Sequence, residues 1–197
     1  ALLGIVMAIL AVVIFFKVKE RYYHKVVEKT KKKFGFGGSI AEVFRCRPFR
    51  LLLGMGASFS IGTSMVGSMG YYATVYYVFQ GRSGEGNSFN FWVGLAFMVG
   101  GLFGAPVLKW IADMIEKRAA VLVASAVGIL GYGGSWFLYT PEAPNLQLVA
   151  SFLMGFAASA FWMLNSSIGA DIIDFDELNT GVRREGAFTA YTSYILK

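Results

Sequence analysis

Residues 49–79, 89–111, 120–140 and 146–170 form four apolar stretches, each long enough to cross about 30 Å of hydrocarbon as a helix. A helix satisfies its own backbone hydrogen bonds, so runs of this kind are stable in lipid, where an irregular chain is not. A water-soluble fold would have to hide several such runs behind few charges, since 15% of the chain is charged against about 25% in soluble domains. The chain is 56% hydrophobic and 16% aromatic, with a mean hydropathy of +0.56, a balance that belongs in lipid. The expected fold is an all-α polytopic membrane protein.

Residues 1–16 and 187–197 read as two further, partial spans. The first is apolar from its first residue, which is not Met, and stops at Lys17. No basic segment precedes it and no small-residue cleavage site follows, so it does not read as a signal peptide. Both ends are expected to be cut inside a helix. The spans are rich in glycine (Gly54, Gly56, Gly62, Gly67 and Gly70, then Gly94, Gly100, Gly101 and Gly104), which lets backbones approach where no hydrophobic drive gathers helices. One cysteine, Cys46, excludes an internal disulfide, and with one histidine, His24, it argues against a His/Cys metal centre. No metal site and no cofactor is expected.

Lysine and arginine in the connections set the orientation. Segment 17–50 carries eleven of the eighteen (Lys17, Lys19, Arg21, Lys25, Lys29, Lys31, Lys32, Lys33, Arg45, Arg47 and Arg50) and is expected to be cytoplasmic. Residues 80–88 hold only Arg82 and residues 140–145 hold none, so both turns are expected outside. Lys109, Lys117, Arg118, Arg183 and Arg184 return to the inner side, and Lys197 falls within a span. The net charge of +6 is thereby explained by topology, without a nucleic-acid partner. The basic run 25–33 reads as a solvated topological determinant. At some thirty residues, the charged connector looks like the central loop between two halves of a transporter. The expected organisation is the end of a span over 1–16, a cytoplasmic central loop over 17–48, and a membrane half over 49–197.

Two features stand out from the apolar background. The first is the stretch 170–186, in which Asp171, Asp174, Asp176 and Glu177 close one helix and Arg183, Arg184 and Glu185 open the next. Such charges can pair across a tight turn, with Thr180-Gly181 supplying backbone freedom. They read as an ionic latch, functional if it must break during gating. A competing reading takes Asp171, Asp174 and Asp176 as a magnesium-diphosphate site of a membrane prenyltransferase, which needs a second, facing acidic cluster that the sequence lacks.

The second feature is Lys197, roughly 16 Å into the membrane from Gly186 at 1.5 Å per residue, where a lysine needs a partner or a cavity. Thr189, Ser193 and Lys197 share a helical face. Trp162 lies about 13 Å from the same edge on the preceding helix, at the depth of Lys197. An indole beside polar groups suits a sugar, whose C–H faces stack on the ring; packing is the alternative. Ser159 and Asn165, one turn either side of Trp162, are expected to add polar partners. Ser60, Ser64, Ser68 and Tyr72 form a polar stripe that either lines a cavity or pairs helices. In the turn after the second complete span, Asp113 before Lys117-Arg118 looks like a degenerate acidic-basic loop signature.

The string Ala170-Asp171-x-x-Asp174-Phe175-x-Glu177-x-x-Thr180-Gly181-x-Arg183-x-Glu185-Gly186 resembles the turn between the tenth and eleventh helices of the glycoside-pentoside-hexuronide:cation symporters, the melibiose permease-like branch of the major facilitator superfamily. The resemblance implies a partial major facilitator fold, helices 6 to 11 of 12, from a multi-pass protein of a cell membrane, with a bacterial inner membrane as the expected setting. By position it gives Trp162 to the sugar, Thr192 and Ser193 to a polar pair facing it, and Lys197 to both sugar and cation. Asp171, Asp174, Glu177, Arg183, Arg184 and Glu185 are expected to form the cytoplasmic gate. The implied partners are a sugar or sugar acid, the bilayer and the missing N-terminal half, which carries the carboxylates for the coupling cation, Na⁺, H⁺ or Li⁺. Asp176 stands where the family often has Gly, and Thr192-Ser193 replaces the Gln-Thr of its best-known member, so the sugar stays open. The expected function is sugar:cation symport by alternating access, not an enzymatic one; the alternative is a non-transporting major facilitator homologue with a sensory or regulatory role.

Overall fold

The computed structural model describes residues 2–17, 42–182 and 184–196. Arg183, Lys197 and residues 18–41 of the expected central loop lie outside the described residues. The chain divides into two units, Ala1–Ser39 and Ile40–Lys197. The described part of the first is one apolar helix, α1 (Leu2–Lys17). The second opens with helical residues 42–45 and continues through α2 (Arg47–Tyr72), prolonged by a π-helix over Ala73–Val78, then α3 (Ser83–Ile115), α4 (Lys117–Leu138), α5 (Leu146–Thr180) and α6 (Glu185–Ile195). No strand occurs among the described residues. α2 with its π extension, α3, α4 and α5 are each long and apolar enough to cross a membrane.

Local chemistry sets the boundaries. Pro48 lies in the first turn of α2, where its missing N–H has no intrahelical acceptor to lose. α5 continues past the apolar stretch through its acidic residues and ends at Thr180. There Gly181 takes the left-handed conformation, φ 67°, and donates its N–H to the Glu177 carbonyl at 2.8 Å. A single residue, Glu116, separates α3 from α4, at φ 98° and ψ 146°, a region that side chains avoid.

α5 is the spine of the second unit, packed between α3 and α4. The α3–α5 seam is where glycine is needed: a Cβ on Gly100, Gly104 or Gly155 would overlap the carbonyl oxygens of Phe152, Phe156 and Phe97. Gly54, Gly62, Gly67 and Gly94 meet nothing within 4 Å among the described residues, so within this unit close packing engages only part of the glycine expected to serve it. One buried cluster joins Leu108 of α3, Ala120 and Ala124 of α4, and Ala160 and Leu164 of α5. A second gathers Val43, Phe49, Leu52 and Leu53 with Ile172 and Phe188, the Phe49 and Phe188 rings meeting edge to face at 4.7 Å. The lead-in to α2 is therefore packed onto α5 and α6 rather than solvated. This cluster lies at the end of the bundle that carries Lys117 and Arg184, called here the basic end.

Candidate functional site

Between α2, α3, α4 and α5 lies a cavity of about 470 Å³. Toward the basic end it is bounded by Phe59 and Trp162, the indole standing nearly perpendicular to Phe59 at 6.1 Å and to Phe161 at 5.7 Å. Phe59 in turn stacks on Phe161 at 3.8 Å. Packing therefore fixes the orientation of Trp162 while leaving 37% of the residue exposed. At the far end, Tyr71, Asn90, Tyr139 and Ser151 contribute polar groups.

The other residues expected near Trp162 lie elsewhere. Thr192 is half-buried and donates its hydroxyl to the Phe188 carbonyl at 2.9 Å, and Ser193 is exposed; neither lines the cavity. Ser159 lies in the α3–α5 seam against Gly104. Asn165 is buried beside Gly56 and Leu196, and its Oδ1 has no hydrogen-bond partner among the described residues. A step of three residues turns a helix by about 300°, so Ser159 and Asn165 each diverge from the face of Trp162. The stripe Ser60, Ser64, Ser68 and Tyr72 does not line this cavity: among the described residues Ser60 is half-buried, Ser64, Ser68 and Tyr72 are exposed, and Ser68 donates to the Ser64 carbonyl. The cavity is walled by the neighbouring face of α2, including Phe59, Thr63 and Tyr71.

At the basic end, Arg184 reaches back to α5 and grips Asp176 with two hydrogen bonds, Nε to Oδ2 at 2.9 Å and Nη2 to Oδ1 at 2.7 Å. Its Nη1 donates to Glu42 Oε2 at 2.5 Å. The Arg184 and Asp176 side chains are only 9% and 7% exposed. The hydrogen bonds that Arg184 donates to Asp176 raise its pKa above its already high ordinary value, with Glu42 adding to this against the cost of burial. Lys117, opening α4, pairs with Asp171 at 2.6 Å in a more exposed setting. Asp174 is exposed and makes no hydrogen bond or ion pair among the described residues, while Glu177 and Glu185 both have interaction partners.

Two members of this network were legible only in part or not at all. Asp176 reads as one of the charges able to pair across the turn, yet as a departure from the family pattern it falls outside the expected gate set, although its spacing of four from buried Ile172 marks the inner face of α5. Glu42 sits in a charged connector, 142 residues before its partner, and carries no local signal. Asp171 and Asp176 are held by different cations of the chain, so the three aspartates do not converge on one metal-diphosphate ligand.

The family model described as MFS/sugar transport protein matches residues 1–197. The chain belongs to this family. Major facilitator membership agrees with the all-helical, multi-pass architecture and places the chain among transport proteins instead of prenyltransferases. Over 201 residues the chain is 26% identical to the isoprimeverose transporter of Lactiplantibacillus pentosus, covering all of this chain and 40% of that protein. Over 105 residues it is 30% identical to an uncharacterized symporter of Synechocystis sp., covering 52% of this chain and 19% of that protein. This major facilitator chain thus spans less than half the length of these relatives. No solved structure matches it.

Proposed function

We propose that the protein containing this chain moves a sugar across a bacterial inner membrane together with a cation, by alternating access. One observation carries the reading: in a chain matching a sugar transport family along its whole length, Trp162 presents an aromatic surface to a cavity walled by four membrane-capable helices. An indole offers a flat apolar face to the C–H side of a sugar ring. In this reading Trp162 stacks on the substrate, Thr192 and Ser193 hydrogen-bond to it as α6 approaches, and Lys197 couples substrate and cation charge. The opposing wall and the cation carboxylates come from an N-terminal half. The basic end faces the cytoplasm, and the charges of 171–185 serve its gate, with Arg184 tying α5 and α6 to the lead-in of α2 so that these ends move together.

The test is sugar uptake by the complete protein in proteoliposomes under an imposed Na⁺, H⁺ or Li⁺ gradient. Trp162→Ala is expected to reduce uptake at low sugar concentration by about tenfold, the loss of roughly 1.4 kcal/mol of binding, with Trp162→Phe in between. Wild-type vesicles that bind and accumulate no sugar under any of these gradients would favour a non-transporting homologue.

A further inference from the structure

The cavity beside Trp162 is longer than one sugar ring requires. Its α5 wall runs from Ser151 to Trp162, about 16 Å along a helix axis. Its α2 wall runs from Phe59 to Tyr71, about 18 Å. Bonds of roughly 1.5 Å make a pyranose with its hydroxyls about 7 Å across, so one ring on Trp162 fills less than half of the trough. A volume of about 470 Å³ is likewise in the range of sites that enclose ligands larger than a single ring.

The two ends of the trough differ in chemistry. Beside Trp162 the wall is aromatic, with the Phe59 ring nearly perpendicular to the indole. At the opposite end, polar groups from α2, α3, α5 and the cap of α4 converge. Tyr139, just past α4, reaches across to α2, its hydroxyl 3.8 Å from the place a Cβ on Gly70 would take. Ser151, which is 2% exposed, lines the same end of the trough. Asn90 donates its amide N–H to the Gly86 carbonyl at 3.1 Å, which leaves Oδ1 as an acceptor. Tyr71 donates to Asn87 Oδ1 at 2.6 Å, which leaves the phenolic oxygen able to accept. Hydroxyls that give and take, beside acceptors already oriented by their own bonds, match a polyol, in which every O–H is both donor and acceptor.

We infer that Asn90, Tyr139 and Ser151 form a second sugar subsite, which binds the distal ring of a two-ring glycoside whose first ring lies on Trp162. The inference rests on the sugar-transport reading and narrows it: the trough selects a disaccharide-sized glycoside over a free pentose or hexuronic acid. A neutral hydrogen bond is worth about 0.5 to 1.5 kcal/mol, so each lost contact corresponds to a two- to tenfold change in affinity.

Binding of a disaccharide and of its single-ring component to the complete protein, by calorimetry in detergent, tests the subsite. Ser151→Ala, Asn90→Ala and Tyr139→Phe are each expected to weaken the disaccharide two- to tenfold while the single ring shifts less than twofold; Trp162→Ala weakens both. Tyr139→Phe keeps the ring and its packing, so a folding defect in Asn90→Ala leaves the test intact. If all three variants weaken both sugars equally, or neither, the subsite is wrong and the Trp162 reading stands. If the wild type binds neither sugar, both fall.

Discussion

Arg184 is a single side chain that holds three parts of the second unit. Its guanidinium meets the nearly buried Asp176 through a two-pronged contact and reaches Glu42 as well. Arg184→Gln leaves a buried carboxylate without its cation, a loss of about 3–5 kcal/mol in comparable sites, and is expected to lower the midpoint of thermal unfolding in detergent by several degrees. Arg184→Lys should fall between, because a compact ammonium lacks the fork that serves both carboxylates. Glu42→Gln should cost under about 1 kcal/mol, since that carboxylate is 41% exposed. The folded Arg184 pKa is raised, so its contribution is complete below the unfolded value and lost only as pH rises through the folded one. Both lie far above neutrality, so the guanidinium keeps its charge from pH 6 to 8. Individual residues were the least legible level in the sequence. Trp162 stood out because an indole at span depth is conspicuous, but which acid of the turn Arg184 grips, Asp176, and the part played by Glu42 emerge only when folding brings them together. Thr192 and Ser193 look alike in sequence and differ in the fold, one returning its hydroxyl to the helix backbone and the other exposed.

Helices and their junctions were far more legible, because a long apolar run admits few conformations in lipid. The four spans appear where the sequence puts them, yet their ends shift for local reasons. α3 begins at Ser83, inside the stretch expected as an outer turn, and α5 runs ten residues past its apolar window through the acidic residues to Gly181. The α3–α5 seam shows what composition leaves open, namely which glycines matter. Gly155→Ala or Gly100→Ala forces a methyl group into a facing carbonyl, and overpacking of this kind costs about 1–3 kcal/mol. Gly54→Ala and Gly62→Ala meet no neighbour and should leave thermal unfolding in detergent unchanged or slightly improved. At the α3–α4 junction, Glu116→Gly removes a side chain from a backbone region that costs about 1–3 kcal/mol to occupy. The same unfolding measurement should show stabilisation, and a fall in the midpoint would mean that the Glu116 side chain contributes more than its strain costs.

On the scale of the whole molecule, the family and the membrane class could be read from the stretch 170–186 and the apolar runs, whereas the cavity could not. Its walls come from four helices, and the face of α2 that lines it adjoins the polar stripe that periodicity singled out. Close packing ties α5 to α3 and α4, while α2 meets it chiefly through the Phe59–Phe161 stack and the cluster around Phe49. Phe161→Ala is therefore expected to impair sugar binding without touching the ligand, by freeing Trp162 to rotate; calorimetric affinity should fall while Phe161→Leu retains more of it. α5 itself has 35 residues, about 52 Å at 1.5 Å per residue, well beyond the thickness of a hydrocarbon layer, and no proline interrupts it. Trp162 and the exposed Asp174 thus ride on one rod, a little over three turns apart. A fluorophore or spin label attached at Asp174 would travel with the floor of the cavity and signal its tilt from outside the bilayer.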